Sequence, residues 1–426
     1  MNAGWHARWP ACRRARLPIA AASLSLVLAL ASWPALAADE PGEQQQQEKL
    51  YLEGLQAISE GRKNDASELF QRLIKREPQH AGAYLEIALI QCELGHADYA
   101  ESLFKEIERR FSPSPAILEL MNQARAKGCA QWLPHVQWSL IAGRGYDQNV
   151  NQGASNPNFS FGHGEALVNV ELAPEYLPLA DHYSIVSADY QRELSQNGMS
   201  GFVQLQGRNN DFLTKYNTIS IFAGIEQAWR IGDWPLRGSV MAGLLSLGGA
   251  LYQKQGVLQL RATPPLPLPA SLQANLTAAL THMQYQRLDG FDSNTLDLRG
   301  QLSYQTQTSQ TTGSIGIAAD RALGARPGGD RRGWLASLQT RAQLSRQLIG
   351  ELALTHQAWR STRAYSPGLI DDRRQQATTM LRCGLIVPLG RDQALHVEWR
   401  TVRNQENIAI FQYKSRQIQV TWQWQK

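Results

Sequence analysis

The stretch SLQANLTAALT, Ser271–Thr281, sets Leu272, Ala274, Leu276, Ala278 and Leu280 in alternation with Gln273, Asn275, Thr277 and Ala279. A period of two puts the first set on one face of a β-strand and the second on the other. The same pattern recurs in Thr295–Gln305, where Leu296, Leu298, Leu302 and Tyr304 alternate with Asp297, Arg299, Gln301 and Ser303, and again in Trp334–Leu344. About fifteen such segments of roughly 10–14 residues follow one another from Cys129 to the end of the sequence. One strand of this kind fits a soluble sandwich equally well. A long uninterrupted series of them predicts a transmembrane antiparallel β-barrel over residues 132–426. Periplasmic termini require an even strand number, so the expected count is fourteen, with the surplus assigned to over-splitting between His182 and Tyr216.

Turn lengths suggest an orientation. Gly232–Pro235, Ser345–Gln347 and Gly390–Asp392 are short, whereas Arg287–Asn294, Leu323–Arg332 and Arg363–Arg374 are long, and short turns face the periplasm. Trp229, Trp334, Tyr285, Tyr304 and Trp422 are candidates for the interfacial girdles. Ile418, Val420, Trp422 and Trp424 alternate as a last strand should, but Gln425-Lys426 follow where such barrels usually finish on an aromatic residue.

Upstream the period changes. Gly54 aligns with Ala88, Gly61 with Gly95, Ala66 with Ala100, Leu69 with Leu103 and Phe70 with Phe104, each pair 34 residues apart. That is the tetratricopeptide (TPR) period. It predicts an all-α, TPR-like solenoid over 48–128 made of two repeats and a capping helix from about Pro115 to Lys127, with Pro78 closing the first repeat. Tyr51, Tyr84, Glu86 and Gln91, on the first helix of each repeat, are candidates for a peptide-binding groove; structural packing is the alternative. Cys92 and Cys129 fall where an oxidising compartment allows a disulfide, two separate buried thiols being the other reading.

Arg8, Arg13, Arg14 and Arg16 precede an apolar run from Leu17 to Leu30 and the small residues Ala35 and Ala37, the order of a secretory signal peptide over 1–37. Residues 38–47, rich in glutamine, are expected to be a flexible lead-in. Mean hydropathy is −0.36 and no second long apolar run follows, so a helical membrane span is not expected. The three remaining cysteines lack metal-ligand spacing. The formal net charge of +5 is dispersed, which argues against nucleic acid as a partner.

Two further segments stand out: GYDQNVN, Gly145–Asn151, at the start of the barrel, and NQENIAIFQYKSR, Asn404–Arg416, near its end. Together with the preceding TPR-like repeats they resemble the surface lipoprotein assembly modifier family. The resemblance spans most of the chain after the leader. It implies a periplasmic helical repeat domain joined to a fourteen-stranded outer-membrane barrel that moves client lipoproteins or soluble secreted proteins across the outer membrane. The repeat domain here is shorter than that pattern.

The histidines His135, His163, His182, His282, His356 and His396 share no motif, and His396 with Glu398 on one strand face is the nearest approach to a catalytic pair. No enzymatic activity, cofactor or metal is expected. Arg299, Arg341, Glu398 and Arg400 are candidate lumen residues, and Arg326, Arg331, Arg332, Arg373 and Arg374 fall in outer loops where they face either lipopolysaccharide phosphates or water. The expected partners are a client protein or its chaperone at the repeat domain, the barrel assembly machinery and lipopolysaccharide. The sequence thus supports an outer-membrane factor for protein export or surface display, with a polysaccharide-export porin or a passive diffusion porin as alternatives.

Overall fold

A computed structural model describes residues 43–126, 128–129, 134–161, 168–269 and 271–426. The expected signal peptide and the first part of the lead-in lie outside them. Five helices come first: α1 (Glu43–Ser59), α2 (Lys63–Arg76), α3 (Ala81–Glu93), α4 (Ala97–Phe111) and α5 (Pro115–Ala126). Helix α1 begins at Glu43, so the glutamines up to Gln47 expected in the lead-in are helical, in keeping with the good helix propensity of glutamine. Acidic Asp65 and Asp98 open α2 and α4, and Lys75, Arg76, Arg109 and Arg110 close them, each charge opposing the local end of the helix dipole.

The 34-residue correspondence has direct packing consequences. Ala66 and Ala100, and Phe70 and Phe104, are all fully buried at equivalent places. Gly61 and Gly95 take φ of +75° and +82° in the tight turns after α1 and α3, a conformation that side chains other than glycine resist. A Cβ on Gly54 would lie 2.4 Å from the Phe70 ring, so the missing side chain is what lets α1 approach α2. Burying each phenylalanine contributes about 1.5–3 kcal/mol. Helix α5 inserts Met121 into this core, and a disulfide joins Cys92 at the end of α3 to Cys129 beyond α5.

Fourteen strands then close an antiparallel barrel: β1 (Val136–Asp147), β4 (Asp181–Glu193), β5 (Met199–Asn210), β6 (Thr218–Ile231), β7 (Trp234–Leu247), β8 (Ala250–Ala262), β9 (Leu272–Tyr285), β10 (Ser293–Gln305), β11 (Ser309–Ala322), β12 (Arg331–Ser345), β13 (Leu348–Ser366), β14 (Ile370–Pro388), β15 (Gln393–Glu406) and β16 (Tyr413–Gln425). Strand β1 pairs with both β4 and β16, so the sheet has no free edge. A separate hairpin, β2 (Asn158–Phe161) with β3 (Val168–Glu171), stands inside the β1–β4 connection. The suspicion of over-splitting between His182 and Tyr216 is therefore corrected. That region holds two full barrel strands, β4 and β5, paired from Tyr183↔Asn210 to Glu193↔Ser200, and the segments outside the barrel are β2 and β3.

Register explains which way the sheet faces. Leu272, Ala274, Leu276, Ala278 and Leu280 of β9 lie opposite Tyr304, Leu302, Gly300, Leu298 and Leu296 of β10, one continuous apolar surface. Ile315 and Ile317 of β11 extend it and are 66% and 63% exposed. The intervening positions, such as Asp320 and Asp147, are polar and buried inside. A greasy outer wall around a polar lumen is the pattern of a membrane-spanning barrel. Among the described residues no helix is long and apolar enough to cross a membrane.

The end carrying the start of β1 and the end of β16 also carries the short turns β4–β5, β6–β7, β10–β11, β12–β13 and β14–β15. One long exception, 263–271, is proline-rich. At the opposite end Arg363–Arg374, expected as a long loop, is mostly strand: β13 and β14 continue to a tight turn at Pro367-Gly368-Leu369 and make a projecting hairpin. Trp229, Trp334, Tyr304 and Trp422 occupy outward positions, while Tyr285 turns inward and packs between Tyr252 and Phe291 beneath a loop. The last residue closes the seam, since Lys426 and Trp138 exchange backbone hydrogen bonds of 3.0 Å in both directions and Trp424 meets Trp138 edge-on.

Candidate functional site

The lumen is the natural place to look for function in a barrel. Arg341, Glu398 and Arg400 are brought onto one sector of its wall, β12 to β15, whereas Arg299 stands apart on β10 beside Asp297. Two residues with no motif of their own complete the sector. Glu351 lies 3.6 Å from Arg341 and 3.8 Å from His396, and Arg382 lies 3.8 Å from Glu398 and directly opposite Arg400. Gln419 donates to Glu398 at 3.4 Å and Arg400 donates to Gln417. His396 therefore faces Glu351 of the neighbouring sheet region more closely than its sequence neighbour Glu398. The arrangement alternates charge along the wall and offers no hydroxyl nucleophile held by a base. Among the described residues no group of three metal-capable side chains comes together; His163 lies outside them.

Across β9–β11 the lumen face changes character. Gln273 stands opposite Ser303 and Asn275 opposite Gln301, with Gln310 also on an inward position. A cavity of about 350 Å³ opens there towards the short-turn end, with Arg237 and Arg261 at its rim.

The segments Gly145–Asn151 and Asn404–Arg416 meet at the loop end of the barrel seam, opposite the end where β1 starts. Asp147, buried, accepts hydrogen bonds from Ser415 Oγ at 2.8 Å, Gln417 Nε2 at 2.6 Å, Arg208 Nη2 at 3.0 Å and the Asn149 backbone N–H at 2.9 Å. Arg208 lies 3.8 Å over the Tyr183 ring. The Asn149 side-chain amide donates to the backbone oxygens of Gly153 and Lys414, and Ser155 N–H donates to Gln412 O. Glu406 is gripped by Arg374 through two bonds of 2.9 and 2.7 Å, and Asn404 spans Thr378, Glu406 and the Phe411 carbonyl. These polar residues tie the first strand to the last. Charge-assisted bonds at a buried carboxylate are the strong ones.

The same chemistry removes three of the five arginines from the outer-loop set. Arg326, buried, and Arg331 both donate to buried Asp320, and Arg374 serves Glu406. A buried carboxylate without its cation would be costly, so these side chains fold inward instead of facing solvent. Arg332 and Arg373 remain exposed.

On the helical unit, Tyr51 of α1 packs on His80 and Phe70, and burial together with the charge of Glu86 raises its pKa. The Glu86 carboxyl on α3 is pushed up by burial and by Glu93. Tyr84 turns to α4, where Arg110 donates to its hydroxyl at 3.2 Å and Phe111 packs against the ring. Gln91 is not a groove residue: it is buried, donating to Ser67 Oγ at 2.9 Å while its carbonyl meets His96 Nδ1 at 2.6 Å. An amide with both ends satisfied inside a core is part of the packing. Helix α1 and the start of α2 touch the short-turn end of the barrel through Glu53 with Arg230 at 3.4 Å, Asn64 with Asn197 at 2.7 Å, and the close backbone approach of Gly61 and Gly198.

No protein-family model matches the sequence, and a comparison with curated proteins finds no match. Solved structures with a similar outline include OmpT, an outer membrane protein of Vibrio cholerae, at 6% identity over 69% of this chain and 99% of that one with a TM-score of 0.38. An anion-selective porin from Comamonas acidovorans matches at 11% over 69% and 100% with a TM-score of 0.36, and the outer membrane channel DcaP of Acinetobacter baumannii at 9% over 69% and 97% with a TM-score of 0.37. At such identities and scores the likeness carries no functional information.

Proposed function

We propose that this chain is an outer-membrane export factor in which TPR-type hairpins on the periplasmic side receive a client protein or its chaperone and the barrel gives that client a route, or a folding surface, to the cell exterior. The observation that carries the reading is the meeting of the helical hairpins with the β4–β5 and β6–β7 turns at the end where the chain enters and leaves the barrel. A passive diffusion porin leaves such a unit unexplained. Tyr51 and Glu86 are the groove residues of this reading, and Arg341, Glu351, Glu398 and Arg400 the lumen wall along which the client or its leading segment passes. The resemblance to surface lipoprotein assembly modifiers supports the same client class.

A second reading, glycan export, is favoured by the amide and hydroxyl face of β9–β11, whose donors and acceptors suit sugar hydroxyls. Deleting the gene and comparing surface proteins by protease shaving separates the two. Loss of one or a few surface proteins with an unchanged capsule is the expected result; an unchanged surface proteome with an altered capsule or altered solute flux overturns the export reading in favour of a glycan or diffusion role.

A further inference from the structure

The lumen of the barrel carries both signs of charge, whereas the outer wall of β10–β16 near the loop end carries cations. Apart from Asp371 and Asp372 at the hairpin tip, the carboxylates of β10–β16, namely Asp297, Asp320, Glu351, Glu398 and Glu406, all stand on lumen-facing positions. The outward face of the same strands carries cations near the loop end. Arg332 of β12 stands directly opposite Arg360 of β13, and Arg403 of β15 directly opposite Lys414 of β16. Arg321 and Arg416 lie diagonally beside these two pairs, and all six side chains are exposed. Like charges directly opposite on one sheet face repel, and no strand carboxylate on that face relieves them.

Between the pairs the wall is indented. A groove of about 610 Å³ lies there, with Arg332 and Arg360 at its edge, Gln375 and Gln405 beside them, and Ala358 and Ala377 as a shallow floor. Trp334, outward and interfacial, marks the membrane-facing side of the groove. The side chains offered are guanidinium and amide, which bind phosphate and sugar hydroxyls.

We propose that this groove binds the headgroup of a phosphorylated glycolipid of the outer leaflet, lipid A, with Arg332 and Arg360 closing on one phosphate and Arg403, Lys414 and Arg416 drawing a second. A phosphomonoester carries about −1.5 to −2 charge near neutral pH, enough to offset a facing pair of arginines, whereas a phosphodiester of an ordinary phospholipid carries about one. The site belongs to the loop end of the barrel. At the turn end the outward face of β4 carries Arg192 alone, without a facing cation.

The test is native mass spectrometry of the full-length protein in detergent, titrated separately with bisphosphorylated lipid A, with dephosphorylated lipid A and with phosphatidylglycerol. Bisphosphorylated lipid A is expected to bind about tenfold more tightly than either of the others, and the double substitution Arg332→Gln, Arg360→Gln is expected to abolish most of that advantage while Arg192→Gln leaves it intact. Equal binding of the dephosphorylated lipid or of phosphatidylglycerol by the unaltered protein overturns the proposal without recourse to any variant. Undiminished preference in a double variant that still migrates as a folded barrel overturns it as well, as does an equal loss in Arg192→Gln.

Discussion

The helical unit and the barrel are built from the same rule and look like opposites. In the helical unit Phe70, Leu73, Phe104 and Met121 are sealed inside and most charges lie outside, in pairs such as Arg72 with Glu68, while buried Arg62 is held by Glu60 and Asp65. In the barrel Ile315, Ile317 and Leu338 point outward and Asp147, Asp320 and Asn404 are sealed inside. Each apolar set faces the least aqueous medium within reach, which is protein in one case and lipid in the other. Inside the barrel the polar groups then need partners of their own, which is why Asp147 accepts four hydrogen bonds and Asp320 draws in two arginines.

The contrast can be broken from either side. The largest effect is expected from Phe104→Ala, which removes a fully buried ring and costs about 3–5 kcal/mol of helical-unit stability; chemical denaturation followed by far-UV circular dichroism should show the helical transition moving while heat-modifiable migration of the barrel stays the same. Next comes a charge placed on the lipid side. Leu338→Arg, outward at mid-strand, should cost about 2–4 kcal/mol of barrel stability in bilayers, whereas Gln339→Arg on the lumen side should stay within about 0.5 kcal/mol of the original. Equal costs at the two positions would mean that the outer wall does not face lipid.

Gly54→Ala sharpens the comparison within the helical unit, since the new methyl group enters the space of the Phe70 ring; a loss of about 1–3 kcal/mol is expected. The smallest effect belongs to Glu86. Its carboxyl titrates above the ordinary range because burial and Glu93 oppose its charge, so the folded state holds the proton more tightly than the unfolded chain. Stability therefore falls as pH rises through that elevated value and is recovered at acid pH. Glu86→Gln should raise the melting midpoint of the helical unit slightly at neutral pH and not at all below the carboxylate range, as thermal melts at the two pH values will show.

Much of this was legible in the residues because both periods are local. The 34-residue spacing of Ala66 and Ala100, or of Phe70 and Phe104, needs no partner to be seen, and the alternation in Ser271–Thr281 fixes a face without reference to β10. What the sequence hid depends on contacts between distant strands. Arg326 reads as a loop residue until Asp320 is found beneath it, and Tyr285 reads as a girdle residue until register turns it inward. In Arg363–Arg374 the apolar residues come in adjacent pairs, Ala364-Tyr365 and Leu369-Ile370, around Pro367-Gly368, so the β13–β14 hairpin lacks the apolar alternation that betrays a strand. Gln91 carries no mark that separates a satisfied core amide from a groove residue; only Ser67 and His96 make the distinction. The facing arginines Arg332 and Arg360 are equally invisible, because opposition across a sheet is a property of register alone.

The most direct test of the inside-out barrel with its helical unit on the periplasmic side is cysteine labelling of live cells with a membrane-impermeant maleimide, in a Cys383→Ala background, with one new cysteine at Gly368, Arg346 or Tyr99 in turn. The account predicts labelling at Gly368 in intact cells and at Arg346 and Tyr99 only after the outer membrane is permeabilised; labelling of Arg346 or Tyr99 in intact cells, or protection of Gly368, would contradict it.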